Sequence, residues 1–262
     1  MLPISDYSRW KMNNKRPYVV WGIVIVCALV YIYQLLFAQN DPTFFYRYGM
    51  LPGHVMGWEL PAELSFITIP GWVTLFTSLF LHGGFTHILF NMLYLWIFGD
   101  NIEQSYGWLG FLIFYLAGGV IANLTHLAFS LNDTAAFTPT IGASGAIAAV
   151  MGSYLALYPT ARIRTIVFFF FISFTEIPAY IYLLIWLLLQ VLGIFGGDFG
   201  TAWWAHIGGF VFGYIVGFLY LKFFKPFAPP PWRPVQNFIK NPFKKNDYQD
   251  GRDELENDIW KR

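Results

Sequence analysis

A serine flanked by glycines is the first group in this chain that could do chemistry. Ser144 stands in Gly142-Ala143-Ser144-Gly145, where a loop gives way to a run of small apolar residues. A hydroxyl in an apolar helix usually finds its partner in its own backbone, so Ser144 alone would be a packing residue. It becomes a nucleophile when a neighbouring base removes its proton.

Three further residues offer the remaining groups of a catalytic site. His206 lies within Ala205-His206-Ile207-Gly208-Gly209, while His87 and Asn91 are four residues apart and share one helix face. Neutral His206 can take the Ser144 proton, and the apolar run around it contains no Asp or Glu. The pattern therefore predicts a Ser–His dyad. Taken singly, His206 is also typical of a buried core histidine, and Asn91 of a hydrogen bond between helices.

Acyl transfer also requires hydrogen-bond donors for a developing oxyanion. We expect His87, Asn91 and the backbone N–H of Ser144 to supply them, and one such donor is worth about 3 kcal/mol of activation free energy. A metal site built on cysteine is excluded because the chain has a single cysteine, Cys27. Neither a metal nor a cofactor is expected.

Three more residues are candidates for lining the site. Gly142 and Gly145 flank the proposed nucleophile, and His82 lies in the loop before the helix that carries His87. For His82, a structural role at the membrane interface is equally compatible with the sequence.

The composition indicates that membrane helices position these residues. The 262-residue chain is 56% apolar and 12% charged, whereas soluble domains are about 25% charged. Its mean hydropathy is +0.50, which is typical of a polytopic membrane protein. A soluble α/β-hydrolase is excluded because its nucleophile turn needs glycine where this chain has Ala146, and because a serine on a strand-to-helix turn is incompatible with a chain of six membrane spans.

Six apolar runs are predicted to cross the membrane, which gives an all-α polytopic protein built as a six-helix bundle. They cover residues 18–37, 86–99, 107–129, 144–158, 177–195 and 201–221. The first run is long and no Ala-x-Ala-like site follows it, so we interpret it as an uncleaved span instead of a signal peptide. The fourth run is short, which is tolerable inside a bundle.

The predicted domain organisation has three parts. They are a cytoplasmic N-terminal segment at 1–17, a six-helix domain at 18–222, and a proline-rich and then charged cytoplasmic tail at 223–262, which we expect to be disordered. The connection 38–85 is long and contains apolar pieces, so we expect it to fold back onto or into the membrane surface. An acidic loop at 100–103 is predicted to join the second and third spans, with Glu103 as a cap or hydrogen-bonding residue. The cluster 168–171 is predicted to lead into the fifth span, and Glu176 has no evident role.

Charges are segregated as the positive-inside rule requires for six spans with both termini in the cytoplasm. Of the 16 Lys and Arg residues, Arg47 alone falls on the outer side. This topology places the four candidate catalytic residues at a similar shallow depth, where polar groups usually face a bundle interior or a water-filled cavity. Small residues at every fourth position let the fourth and sixth helices approach closely. They are Ser144, Ala148 and Gly152 in one helix and Gly209, Gly213 and Gly217 in the other.

At these residues the sequence resembles the rhomboid family of intramembrane serine proteases. The matching pieces come in the family's order and on the family's spans, and they extend over about residues 15–222. They are His82-Gly83-Gly84-Phe85-Thr86-His87-Ile88-Leu89-Phe90-Asn91, then Gly99 with Glu103, then Gly142-Ala143-Ser144-Gly145, then Ala205-His206-Ile207-Gly208-Gly209 with Gly213. As a set, these motifs are highly specific.

The resemblance implies a serine endopeptidase that cleaves single-span or other membrane-anchored proteins within or near the bilayer. It assigns Ser144 as nucleophile, His206 as base, and His87 and Asn91 as oxyanion stabilisers. It also implies a partly membrane-embedded hairpin in the first loop, and a substrate gate formed by the fifth span and the loop after it.

Two positions depart from some members of the family. Val73 and Thr74 stand where those members have a Trp-Arg pair, and Ala148 stands where they have a tyrosine that stacks on the catalytic histidine. Neither departure removes a reacting group. They leave open how the first loop is anchored and what orients His206.

The expected location is a bacterial plasma (inner) membrane, with both termini cytoplasmic and the active site toward the outer side. The expected partners are membrane-protein substrates and the lipid bilayer, not nucleic acid, and the oligomeric state is left open.

One alternative is a catalytically inactive rhomboid-like protein that binds membrane clients, against which the intact Ser144 and His206 count. A transporter or channel would instead require charged residues at mid-membrane or inverted repeats, and the sequence has neither.

Overall fold

Apolar helices make up most of the described chain. The structure, a computed structural model, describes residues 1–6, 16–131, 135–168, 172–196 and 201–224. Its helices are α1 Tyr18–Tyr33, α2 Phe44–Tyr48, α3 Pro52–Val55, α4 Gly71–Thr77, α5 Phe85–Phe129, α6 Ser144–Leu157, α7 Ala179–Phe195 and α8 Trp203–Phe224. Helix α1 continues as a π-helical turn over Gln34–Ala38, and short 3-10 turns cover Ala62–Leu64, Ser78–Phe80 and Ala135–Phe137.

Three helical segments in the described chain are long and apolar enough to cross a membrane. They are Tyr18–Ala38, Phe85–Phe129 and Trp203–Phe224, and shorter apolar helices lie at Gly71–Phe80, Ser144–Leu157 and Ala179–Phe195. Helix α5 has 45 residues and is interrupted at Gly107, where φ is 74° and ψ is 164°. Glycine adopts such a backbone conformation without steric cost. The second and third predicted spans are therefore the two halves of α5, separated at the residue where the third was predicted to begin.

The acidic segment 100–103 is helical and buried, so the prediction of a loop there is wrong. Its polar groups find partners inside the protein. The Glu103 carboxylate accepts hydrogen bonds from the N–H groups of Val19 and Val20, at 3.0 and 2.8 Å. These N–H groups lie in the first turn of α1 and have no partner within that helix. Glu103 thus caps a neighbouring helix, which confirms its predicted role.

Helix α6 is the most enclosed helix of the bundle described here. All of its residues except Ser144 and Ala156 are buried. Glycines allow its close contact with α8, since a Cβ atom on Gly213 would meet the carbonyl oxygen of Ala149, and one on Gly152 would meet that of Phe210. The predicted glycine stripe of α8 therefore packs against α6, where Gly209 and Gly213 approach the carbonyl oxygens of Gly145 and Ala149. Of the predicted α6 stripe, Gly152 lies in this contact.

A three-stranded antiparallel sheet accompanies the helices and was not predicted. Strand β1 (Leu2–Asp6) pairs with β2 (Arg162–Phe168), which pairs with β3 (Ile172–Pro178). In this register Glu176 lies opposite Arg164, and opposite charges on facing strands stabilise a sheet modestly. Glu176 is thereby explained as a cross-strand neighbour of a basic residue.

The first residues of the chain are tied to the bundle through Asp6. Its Oδ2 accepts hydrogen bonds from Asn101 Nδ2 at 2.7 Å and from the Tyr154 hydroxyl at 2.6 Å. Asn101 belongs to α5 and Tyr154 to α6. Strand β1 and the end of α6 that is remote from Ser144 are thus joined by one buried carboxylate.

The long connection between α1 and α5 contains regular structure. It contains α2, α3 and α4, and a small apolar cluster forms around Leu51, Leu64 and Ile67. His54 Nε2 lies 2.8 Å from the carbonyl oxygen of Ile69, and the Thr77 hydroxyl donates to a backbone carbonyl of α2 at 2.6 Å. These contacts anchor the loop without the Trp-Arg pair of some family members.

The ends of the last two helices differ little from the predicted ends of the fifth and sixth spans. Helix α7 begins at Ala179, directly after Pro178, and α8 extends three residues beyond the predicted end of the sixth span. Residues 169–171 of the phenylalanine cluster and residues 225–262 of the predicted tail lie outside the described residues.

Candidate active site

Ser144 is the first residue of α6, and its position is set by the turn before it. The Gly142 N–H donates to the carbonyl oxygen of Ser78 at 2.9 Å, and Gly142 has a φ of 122°, a conformation that favours glycine. Ser144 then begins the helix, where backbone N–H groups lack intrahelical partners. The hydroxyl therefore lies at a helix N-terminus, beside unpaired N–H groups that can stabilise an anion.

The imidazole of His206 reaches the Ser144 hydroxyl. Nε2 of His206 and Oγ of Ser144 are 2.8 Å apart, although the residues are 62 positions apart in the sequence. A base within hydrogen-bond distance of a hydroxyl is the defining geometry of an activated serine. The structure thus brings together the two residues of the predicted dyad.

Gln190 of α7 contacts the ring nitrogen of His206 that does not face Ser144. It was not among the residues predicted from the sequence. Nδ1 of His206 lies 2.7 Å from Oε1 of Gln190. The rings of Trp186 and Trp203 lie 5.9 and 6.2 Å from the imidazole, between ring centroids. The sequence did contain a signal for this residue, because Gln190 is an isolated amide within a predicted span and polar groups at membrane depth usually face the protein interior.

His87 and Asn91 lie on one face of the first turns of α5. The Gly83 N–H donates to Nδ1 of His87 at 3.3 Å, which leaves Nε2 as the protonated nitrogen of the neutral ring. That nitrogen faces Gly142, since a Cβ atom there would lie 2.7 Å from it and 3.7 Å from Ser144 Oγ. The amide nitrogen of Asn91 is buried and has no hydrogen-bond partner among the described residues. Two N–H donors therefore lie on this face of α5, and the donor of His87 borders Gly142, two residues before Ser144.

His82 packs its ring edge-on against the ring of His87. It is 1% exposed, and its ring centroid is 5.2 Å from that of His87. Burial, together with the neighbouring His87, lowers the pKa of His82 to about 4, so the ring is neutral at neutral pH. Its Nδ1 lies 3.2 Å from the carbonyl oxygen of Phe80, and its Nε2 has no partner within the described chain.

The two glycines around Ser144 have different environments. Gly142 borders both His87 and the Ser144 hydroxyl and so lines the site. Gly145 faces away from it, because a Cβ atom there would lie 2.6 Å from Cβ of Ala122 and 3.7 Å from Cβ of Ala205. Its small size permits three helices to meet beside the serine.

The arrangement contains a nucleophile, a base and oxyanion donors, and these are the groups that acyl transfer requires. Among the described residues, no group of three or more His, Cys, Asp and Glu side chains could hold a metal ion. Cys27 is buried within α1.

Parts of this sequence are similar to known proteins. A family model described as "Rhomboid domain" matches residues 70–223, more than half of the chain, and this range includes all the candidate catalytic residues. "Rhomboid protease GluP" of Bacillus subtilis is 39% identical over 93 residues, which are 36% of this chain and 17% of that protein. "RHOMBOID-like protein 12, mitochondrial" of Arabidopsis thaliana is 35% identical over 149 residues, 52% of this chain and 43% of that protein. "Rhomboid protein 1, mitochondrial" of Saccharomyces cerevisiae is 31% identical over 121 residues, 42% and 35% of the two chains. The matched region is less than half the length of each of these relatives.

Proposed function

Because this chain belongs to the rhomboid family of polytopic membrane helical bundles, we propose that it is an intramembrane serine endopeptidase with Ser144 as nucleophile and His206 as general base. The observation that carries this proposal is the 2.8 Å approach of His206 Nε2 to Ser144 Oγ. One relative is named a rhomboid protease, which supports the same reaction class.

The proposed reaction begins with attack on the scissile carbonyl carbon. As the Ser144 Oγ–C bond forms, the hydroxyl proton passes to Nε2 of His206, and the carbonyl oxygen becomes an oxyanion. Nε2–H of His87, the Asn91 amide and the Ser144 N–H are the proposed donors to that oxyanion. The Asn91 nitrogen is buried and has no hydrogen-bond partner in the described part of the chain, which supports this role because a ligand oxygen would complete its hydrogen bonding.

Collapse of the tetrahedral intermediate breaks the C–N bond. The protonated His206 gives its proton to the leaving amine, and the new N-terminus departs while Ser144 holds the acyl group. Water then attacks the ester with His206 again as base, and the second collapse restores the serine hydroxyl and releases the carboxylate product. No cofactor enters this scheme.

The proposed substrates are single-span and other membrane-anchored proteins cut within or near the bilayer. We propose six spans with both termini in the cytoplasm of a bacterial cell and the active site toward the outer side of the plasma membrane. The distribution of Lys and Arg supports this orientation. Helix α6, the fourth proposed span, has 14 residues and is about 21 Å long, whereas the bilayer core is about 30 Å thick. This supports a position of Ser144, at the outer end of α6, below the outer membrane surface.

Incubation with a tagged single-span substrate, followed by measurement of product mass, tests the proposal. Wild-type protein should give two fragments, whereas Ser144→Ala and His206→Ala should reduce cleavage to background while remaining folded. Ser65→Ala, at an exposed serine, is the matched control and should cut at the wild-type rate. Cleavage by Ser144→Ala at the wild-type rate would contradict the assignment.

Labelling with a fluorophosphonate separates the protease from an inactive client-binding protein. An activated Ser144 should be labelled in the wild type and in Ser65→Ala, but not in Ser144→Ala. A folded wild-type protein that is neither labelled nor able to cleave would favour the client-binding alternative.

A further inference from the structure

We propose that Gln190 is a positioning residue that holds His206 in the tautomer and orientation required for its action as a base. This inference rests on the proposed proteolytic function. The residues involved lie on two helices, Gln190 on α7 and His206 on α8. A hydrogen bond between them determines which ring nitrogen of His206 faces Ser144.

The orientation of the Gln190 amide is set independently of the histidine. Its Nε2 donates to the carbonyl oxygen of Trp186 at 3.0 Å, one turn earlier in α7. The other end of the amide, Oε1, is therefore the atom that lies 2.7 Å from His206 Nδ1. An amide oxygen only accepts hydrogen bonds. Nδ1 must then carry the proton in the neutral ring.

The consequence for catalysis follows from the two nitrogens of imidazole. A neutral ring with its proton on Nδ1 has a lone pair on Nε2, and Nε2 is the atom 2.8 Å from Ser144 Oγ. The opposite tautomer would direct an N–H at the serine and could not take its proton. The oxygen of Gln190 thus selects the catalytically competent form of His206.

Among the residues that the structure describes, Gln190 is the polar side chain in contact with this nitrogen. Gln190 is 6% exposed, so its oxygen would be costly to leave without a hydrogen bond. Trp186 and Trp203 restrict the tilt of the ring, but an indole N–H only donates and cannot accept the Nδ1 proton. Ala148 carries no polar group and is fully buried. Gln190 therefore supplies the orientation that the sequence left open.

Two substitutions at this position separate hydrogen bonding from packing. Gln190→Met keeps the length of the side chain and removes the acceptor, whereas Gln190→Glu keeps an acceptor for Nδ1–H. Leu189→Met, at the exposed neighbouring position of α7, is the matched control. Cleavage of a single-span substrate should show a kcat at least about tenfold lower in Gln190→Met with an unchanged KM. Gln190→Glu should retain most of kcat, and Leu189→Met all of it.

The pH profile gives a readout that a purely structural role would not move. A carboxylate beside Nδ1–H stabilises the protonated imidazole, which cannot act as a base. The acid limb of the rate profile should therefore move to higher pH in Gln190→Glu. Wild-type kcat in Gln190→Met, or equal losses of kcat in both Gln190 variants with lowered thermal stability, would overturn the proposal.

Nitrogen NMR of ¹⁵N-histidine-labelled protein tests the inference without any cleavage. The His206 signals are identified by their loss in His206→Ala, and in the wild type they should show a protonated Nδ1 and an unprotonated Nε2. Gln190→Met should give a mixture of tautomers, and Leu189→Met the wild-type pattern. If these tautomer patterns were seen in a protein without proteolytic activity, the positioning role would be supported although the proposed function was wrong. An unchanged tautomer in Gln190→Met would overturn the positioning role even in an active enzyme.

Discussion

The side chain of Gln34 and the backbone of His82 form a reciprocal pair of hydrogen bonds. Nε2 of Gln34 donates to the His82 carbonyl oxygen at 2.8 Å, and the His82 N–H donates to Oε1 of Gln34 at 3.1 Å. Gln34 begins the π-helical turn at the end of α1, and His82 lies in the turn before α5. The end of one helix therefore fixes the segment that leads to the proposed oxyanion donor His87.

Replacement of Gln34 should disturb the oxyanion site, although Gln34 does not belong to that site. Gln34→Leu removes both hydrogen bonds and frees the backbone before α5, so we expect kcat to fall about 10- to 100-fold through displacement of His87. Gln39→Leu makes the same change at an exposed position five residues further on and should have no effect. Steady-state cleavage of a single-span substrate measures both. Equal rates in the two variants would show that the pair does not position His87.

The close contact of α6 with α8 should not tolerate an added methyl group. Gly213→Ala would place Cβ against the backbone carbonyl of Ala149, which cannot move as a side chain can. We expect a loss of about 1–3 kcal/mol in unfolding free energy, together with at least about 100-fold slower cleavage as His206 moves from Ser144. Thermal unfolding in detergent, followed by tryptophan fluorescence, and cleavage rates measure the two effects.

Gly22→Ala is the control for this substitution. Gly22 lies in α1, and no atom of the residues that the structure describes lies within 4 Å of the position that its Cβ would take. Alanine favours helix by about 1 kcal/mol over glycine, so the variant should be as stable as the wild type or slightly more so. If Gly213→Ala behaved like Gly22→Ala, the inferred tight contact of α6 with α8 would be wrong.

The positions of Ser144 and His206 follow from signals that are local in sequence. Glycine before a run of small residues predicted the start of α6, and small residues every four positions predicted its contact with α8. The kink in α5 also coincides with a predicted boundary, because Gly107 adopts a conformation that glycine favours. Helix length and glycine placement thus determine much of the bundle.

The features that the sequence did not predict depend on distant partners. Gln190 meets His206 through the packing of α7 against α8, and no local pattern identifies which helix face does so. Strand β1 pairs with residues about 160 positions away, beyond the range of any periodicity. The segment 100–103 is acidic and resembles a loop, yet it is helical because its carboxylate and amide groups bind other parts of the chain.

Asp6 should be important for stability, although it lies near the start of the chain. Asp6→Ala removes the acceptor for Asn101 Nδ2 and for the Tyr154 hydroxyl, which are both buried. Buried donors that lose their partner cost about 1–3 kcal/mol. Thermal unfolding in detergent should show a lower midpoint for Asp6→Ala than for the wild type. Glu59→Ala, at an exposed acidic residue, should leave the midpoint unchanged, and equal midpoints for the two variants would contradict an anchoring role.

Asn91 provides a test in which activity and stability should separate. Its amide nitrogen has no partner among the described residues, so Asn91→Ala removes no hydrogen bond of that nitrogen within this part of the protein. An oxyanion donor acts mainly in the transition state, and its loss lowers kcat with little change in KM. We therefore expect kcat to fall about 100-fold, less than in Ser144→Ala because His87 and the Ser144 N–H remain, while the unfolding midpoint stays at the wild-type value.

The matched control for Asn91→Ala is Asn40→Ala, at an exposed position after α1. It should change neither kcat nor the unfolding midpoint. If the role of Asn91 were structural, Asn91→Ala would show the opposite pattern, a lower unfolding midpoint and an unchanged kcat. Loss of the side chain would then loosen helix packing without affecting the transition state. The two measurements on one variant thus decide whether this buried amide serves the fold or the oxyanion.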